Sequence, residues 1–359
     1  MNDPERPTLT GRPLRRLVET MPKAELHLHL DGSLRVDTAL DLARTRRIDA
    51  PRDRAGMSRA LIAPMPCTSQ AELLRAFDLP IALMQDAEAL ERITSELVEV
   101  KAADGVRYIE IRWGPLLHVA GGLSLGDGIA AVCAGARSAA VRSGVVVRLI
   151  CTALRSHDPA ANVLLAEAAS RFRDEGLTGW DLAGPEAAYP DPLAHAAAFE
   201  AARAGGLRVT LHAGEWGGAP QVRRALALDP ERIAHGPGAV DDPSLCAELI
   251  ARGVTLDLCP TSNWQAGIVP SLAAHPLARL HRAGVPVTLS TDDTTVSDLS
   301  LSDEYVRAVE SVGLTLPELW AIDRYALDVA FAEEDVLAPL RASFAAWGAG
   351  IPELGNGDS

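Results

Sequence analysis

Lysine is almost missing from this 359-residue chain. Of 34 basic residues only Lys23 and Lys101 are lysines, which removes most lysine-centred mechanisms. Positive charge is short as well. The formal net charge is −14 and the pI about 5.1, which disfavours wholesale binding to nucleic-acid phosphates or anionic membranes. The five cysteines (Cys67, Cys133, Cys151, Cys246 and Cys259) are odd in number, widely spaced and form no C-x-x-C pair. That argues against a disulfide framework and for a reduced, intracellular setting. No apolar run approaches the roughly 18 residues of a transmembrane helix. The polar, Pro/Arg-rich residues 1–18 hold no apolar core of signal-peptide length, so a cytoplasmic location is expected. No G-x-G-x-x-G follows an early strand, which speaks against a dinucleotide fold. What remains is an ordinary globular composition, 48% hydrophobic and 23% charged.

Short runs rich in Val, Ile and Leu alternate with Ala-rich segments of helical period. The runs cover residues 24–30, 106–113, 145–152, 177–182, 207–212, 232–235, 254–259 and 285–291, with helical stretches such as 88–103 and 220–227 between them. Strand–helix alternation repeated eight times predicts a closed (β/α)8 barrel. The expected layout is an N-terminal extension (1–20), one catalytic domain (21–345) with a helical lid inserted after strand 1 (36–83), and a flexible tail (346–359). Barrel active sites lie at the C-terminal strand ends, and polar residues gather there. His27, His29 and Asp31 end run one. Gly184 and Glu186 follow run four, and His212 and Glu215 close run five. His235 ends run six, and Asp292 and Asp293 follow run eight. A doubly wound open sheet would concentrate such residues near one switch point instead.

In a strand, His27 and His29 project to the same face. Two neutral imidazoles there are good ligands for Zn²⁺ or a similar ion. Gly214 permits a tight turn that could aim Glu215 over the barrel mouth. A carboxyl in a partly dry pocket has a raised pKa and can serve as general acid or base. The adjacent Asp292 and Asp293 repel each other, so a turn exposing both wants a cation or donors nearby. Taken singly, each element has a plain alternative: core histidines, a polar loop cluster, a helix N-cap. Together, three imidazoles and one carboxylate make an open catalytic zinc site that generates a nucleophile near neutral pH, with His235 suited to orient the water or accept its proton. That predicts hydrolysis. Neither lysine lies at a strand end, so a carboxylated lysine bridging two ions is excluded.

Six stretches resemble the adenosine deaminase family of zinc aminohydrolases: residues 25–35 (ELHLHLDGSLR), 181–186 (DLAGPE), 212–215 (HAGE), 235–236, 259–263 (CPTSN) and 290–294 (STDDT). They run in family order and spacing from about residue 22 to 335. The resemblance implies one zinc ion per chain, held by His27, His29, His212 and Asp292. It implies that Glu215 gives a proton to purine N1, and that His235 and Asp292 hold and activate the attacking water. Asp293 would hydrogen-bond N7, the Gly184 backbone N3, and Asp31, beside His29, a ribose 5′ hydroxyl. The implied reaction takes adenosine or 2′-deoxyadenosine to inosine or deoxyinosine plus ammonia. Four positions depart from the family's commonest pattern: Ser290, Thr294, Pro185 and Trp216. They border the pocket, so alternative substrates stand beside adenosine: aminodeoxyfutalosine of menaquinone synthesis, whose carboxylate would want an arginine such as Arg75 or Arg155, and free adenine. A rival of another class, a non-catalytic binding protein on the same barrel, would have lost a ligand or the acid, and neither is missing. The expected partners are a small purine nucleoside and water, with no nucleic acid and no membrane. The sequence gives no oligomeric state.

Overall fold

The apolar runs fold as strands because helices cover one face and barrel packing fills the other. The computed structural model describes residues 9–354. Its strands are β1 (Lys23–His29), β2 (Val106–Trp113), β3 (Val146–Leu154), β4 (Leu177–Ala183), β5 (Arg208–Ala213), β6 (Arg232–His235), β7 (Thr255–Leu258) and β8 (Val287–Leu289). They pair in parallel in sequence order, as a (β/α)8 barrel requires. β8 is shorter than its apolar run, because the chain leaves the ladder at Ser290 to build the mouth.

The ring closes through the residues that carry the chemistry. The Asp292 amide donates to the His27 carbonyl (3.0 Å), and the His29 amide donates to the Asp292 carbonyl (2.7 Å). Asp292 sits at φ +67° and His235 at φ +70°, a left-handed backbone that side chains other than glycine rarely adopt.

A buried charge layer underlies the mouth. Arg112 faces Asp181 (3.4 Å) and Asp257 (3.7 Å), and Arg232 pairs with Asp257 and with Glu110, all of them fully buried. The Arg232 guanidinium also lies 3.8 Å from the centroid of the Phe331 ring, a cation–π contact.

Helices near both ends of the described residues enter the core. The helix Gly11–Thr20 buries Leu14 and Val18, so residues 11–20 pack on the barrel instead of standing apart from it. The helix Glu334–Ala349 buries Leu337 and Phe344, with Phe344 stacked on Trp320 at 5.8 Å. Residues 346–349, expected in a tail, therefore complete a packed helix. The rest of the expected extension and tail, residues 1–8 and 355–359, lies outside the described residues.

The insertion 36–83 divides in two. Its first helices, Val36–Arg46 and Arg54–Leu61, bury Leu42, Met57 and Leu61 in the main core. Its second part contributes Ala63, Cys67, Leu73 and Ala76 to a separate small cluster that includes Val296 and packs against Phe77 and Trp216. Only this second part overhangs the mouth.

Candidate active site

β1 delivers His27 and His29 side by side after a register irregularity between Glu25 and Leu28. Their Nε2 atoms lie 3.3 Å apart, and His29 Nε2 lies 3.2 Å from His212 Nε2 at the end of β5. From beyond β8, Asp292 Oδ1 approaches to 3.0 Å of His27 Nε2 and 3.2 Å of His29 Nε2. Three imidazole nitrogens and a carboxylate oxygen thus converge on one point. Metal–ligand bonds of about 2.0–2.1 Å in a tetrahedral arrangement place donors roughly 3.3 Å apart, which is the spacing found. A second buried grouping, His27, His212, His235 and Asp292, lies within 4.8 Å, so His29 and His235 compete for the fourth place.

Hydrogen bonds decide what each nitrogen offers. His212 Nδ1 lies 3.1 Å from Asp181 of β4. Asp181 also accepts from Thr152 Oγ1 (3.2 Å). Burial works against its charge, yet His212 and Arg112 hold its carboxyl well below the usual range. An anion on Nδ1 fixes the proton there and turns the Nε2 lone pair of His212 into the site.

For His235 the direction follows from a backbone donor. The Leu277 amide donates to His275 Nδ1 (3.2 Å), so the His275 proton sits on Nε2, which donates to Asn263 Oδ1 (3.1 Å). The Asn263 amide then donates from Nδ2 to His235 Nδ1 (3.1 Å). Burial brings His235 and His275 down to about 3, so both rings are neutral. His235 therefore carries its proton on Nε2, which faces Asp292 Oδ2 (3.7 Å) and Glu215 Oε1 (3.9 Å). A protonated nitrogen has no lone pair for a metal. The donor set facing the centre is His27, His29, His212 and Asp292.

Asp292 is further fixed by Ser262, whose Oγ donates to Oδ2 at 2.6 Å. Burial opposes its ionisation, but His27 keeps its carboxyl well below the usual range. Its two acidic neighbours go the other way. Burial, then Asp292 and Glu186, push Glu215 well above the usual range. Burial, then Asp292 and Asp31, do the same for Asp293.

These groups line one cavity of about 280 Å³ at the mouth. Gly184 lines it at φ +105°, and its far wall is apolar, from Leu73, Phe77, Leu117 and Trp216. The buried oxygens Asp31 Oδ1 and Asp293 Oδ1 have no hydrogen-bond partner, which marks where a ligand's polar atoms belong. Among the described residues, no lysine or arginine lines the cavity. Lys101 is spent on Glu25 (2.7 Å), and Lys23 opens β1 at the end away from the mouth, donating to the carbonyls of Met21 and Asp104. Arg155 donates to the carbonyls of Tyr189 and His212.

All nine residues singled out from sequence thus meet at the mouth: His27, His29, Asp31, Gly184, His212, Glu215, His235, Asp292 and Asp293. Sequence reasoning gave no role to Asp181, Ser262, Asn263 or His275. The first three stand inside the DLAGPE and CPTSN motifs, which places them near the site and gives them no role there. A lone histidine at 275 carries none.

The comparisons agree with this geometry. The adenosine deaminase family model matches residues 22–347. An adenosine deaminase of Mycolicibacterium vanbaalenii is 39% identical, covering 89% of this chain and 92% of its own. One of Vibrio atlanticus is 35% identical, covering 88% and 95%. Among solved structures, a zinc-bound amidohydrolase from Burkholderia ambifaria superposes with a TM-score of 0.85 at 28% identity, covering 93% of this chain and 92% of its own. The N6-methyl-AMP deaminase of Arabidopsis thaliana gives 0.82 at 31%, covering 94% and 100%. An adenine deaminase of Arthrobacter aurescens gives 0.83 at 27%, covering 91% and 99%. A polar mouth of this build on a barrel that matches along nearly its whole length makes this chain a hydrolytic deaminase of the adenosine deaminase family.

Proposed function

We propose that the protein deaminates the 6-amino group of an adenine nucleoside, adenosine or 2′-deoxyadenosine, by hydrolysis, with one zinc ion held by His27, His29, His212 and Asp292. The observation that carries this is the 3.0–3.3 Å convergence of those donors beside a carboxyl, Glu215, whose pKa burial raises. A zinc ion in such a site acidifies water, so that a strong nucleophile is available near neutral pH.

The chain's own residues do the rest. Glu215 donates its proton to the purine ring at N1, drawing electrons from C6. The Nε2–H of His235 donates a hydrogen bond to the attacking water and orients it. The anionic Asp292 is left to take the water's proton. Asp293 and the Gly184 backbone meet the purine edges at N7 and N3, and Asp31 meets the ribose 5′ hydroxyl. Asp292 passes that proton to the departing amine, the C6–N bond breaks to release ammonia, and the new C6 hydroxyl returns a proton to Glu215 as the 6-oxopurine nucleoside forms.

The wall chemistry favours a neutral nucleoside over a nucleotide. A phosphate brings close to two negative charges and calls for Arg or Lys. Here no lysine or arginine among the described residues lines the cavity, and Asp31 stands where the 5′ end is proposed to lie. The same holds for the carboxylate of aminodeoxyfutalosine, since Arg155 is already engaged. The test is a side-by-side rate comparison, followed by the ultraviolet change as the amino group is lost. The substrates are adenosine, deoxyadenosine, adenine, aminodeoxyfutalosine and N6-methyl-AMP. Adenosine and deoxyadenosine are expected to lead in kcat/KM. Faster turnover of a charged substrate would overturn the nucleoside reading, and no turnover of any would overturn deamination itself.

A further inference from the structure

The acid Glu215 sits on a loop that has no regular secondary structure between Ala213 and Gly218. Glu186, three-hundredths exposed, grips that loop on both sides of the acid. Its Oε1 accepts from the Gly214 amide (2.8 Å), and its Oε2 accepts from the Trp216 and Gly217 amides (2.8 Å each). The only residue between these anchors whose amide is not held is Glu215 itself. The loop is tight: Gly214 lies at φ +72°, and a Cβ there would meet Val222 at 2.5 Å.

We propose that Glu186 is the positioning residue for the proton donor, its carboxylate fixing the Gly214–Gly217 backbone so that Glu215 points into the cavity. The inference rests on the deamination reading for what Glu215 does, though not for the clamp itself. The groups bonded to Glu186 are donors, three backbone amides, with Arg155 Nη2 at 3.8 Å, and its charge also reaches the Glu215 carboxyl. An anion with two acceptor oxygens satisfies all of the donors. A neutral amide cannot, because its NH2 has no lone pair to offer the backbone amides it would face. Glu186→Gln therefore breaks the clamp at Gly214 or at Trp216 and Gly217, while changing neither volume nor any donor of the metal set. Glu186 also follows Gly184 by two residues, so one loop carries both the backbone proposed to meet the purine and the side chain that aims the acid.

The test has two arms. In metal-stripped protein, deuterium exchange of the peptide covering residues 213–218 is expected to be slow in wild type and markedly faster in Glu186→Gln, with intermediate exchange in Glu186→Asp. In metal-loaded protein with adenosine, Glu186→Gln is expected to lose about 100-fold in kcat, the scale of a 1 Å misplacement. KM and metal content should stay near wild type, and Glu186→Asp should recover part of the loss. Unchanged exchange would overturn the clamp. Wild-type kcat with fast exchange would overturn the positioning role, as would a loss shared by metal content or KM. If Glu186→Gln does not fold, Glu186→Asp decides by the same criteria; if neither folds, Glu186 is structural and the proposal falls. A wild-type protein inactive on every adenine compound would refute deamination, and the exchange arm would still judge the clamp.

Discussion

Glu215 needs a proton to act as a donor, and its surroundings favour the protonated form: burial first, then the negative charge of Asp292 and Glu186. The sign follows. A raised pKa means the acid form survives to higher pH, so activity is present below that pKa and falls as pH rises through it. Glu215→Gln is expected to keep its zinc and lose roughly 100-fold or more in kcat, and metal analysis with steady-state kinetics checks both halves. Normal turnover would reassign the donor. Gly32 offers a sharper probe of Asp293. A Cβ on Gly32 would lie 1.6 Å from Asp293 Oδ1, so Gly32→Ala must displace that carboxyl. The expected outcome is a fall in kcat/KM on the order of tenfold or more with metal content intact. An unchanged rate would mean that Asp293 does not touch the substrate. At this scale the sequence was legible wherever a side chain has few other uses, as with an H-x-H on a strand or adjacent aspartates after one. The residues that hold those side chains were not. Asp181, Ser262 and Asn263 act on the site through hydrogen bonds to His212, Asp292 and His235, and a single polar residue in a strand or helix looks the same whether it faces a ligand histidine or water.

Elements were read from apolar runs, and β2 and β6 coincide with theirs. β8 is short because its run continues, in sequence, into the turn that places Asp292, and periodicity cannot see where a ladder stops. The insertion 36–83 was read as one lid because a long segment after strand 1 has no pattern that separates packing from overhang. Only tertiary contacts divide it. The overhanging part meets the barrel through a small cluster of its own, separate from the main core, and that predicts a division of effects. Phe77→Ala should raise KM for adenosine, with kcat nearly retained, because Phe77 lines the cavity far from the reacting C6 and its contact is equal in ground and transition states. Thermal unfolding should shift little, because the main core is untouched. A drop in kcat at constant KM would instead place Phe77 in the chemistry, and a large loss of stability would make the overhang part of the core.

At the scale of the whole molecule, the barrel's closing seam and the donor cluster are the same residues. The β1–β8 junction is bridged by the backbone of His27, His29 and Asp292, and their side chains crowd three imidazoles and a carboxylate into one buried point. The Nε2 atoms of His29 and His212 lie 3.2 Å apart, and Asp31, Glu215 and Asp293 add further acids around Asp292 in a chain already at net charge −14. Binding a divalent ion relieves that crowding only in the folded state, since the four donors come together from strands far apart in sequence. Ligand bound to the native state alone stabilises it by RT ln(1 + [L]/Kd), about 4 kcal/mol at a thousandfold excess over Kd. Removal of zinc by a chelator is therefore expected to lower the melting temperature by several degrees, and graded readdition of zinc should restore it in step with activity. His212→Ala should melt near the stripped wild type and respond weakly to zinc. If chelation abolished activity and left the melting curve unmoved, the seam would be held by its backbone hydrogen bonds alone, and the coupling between closure of the barrel and occupancy of the centre would be wrong.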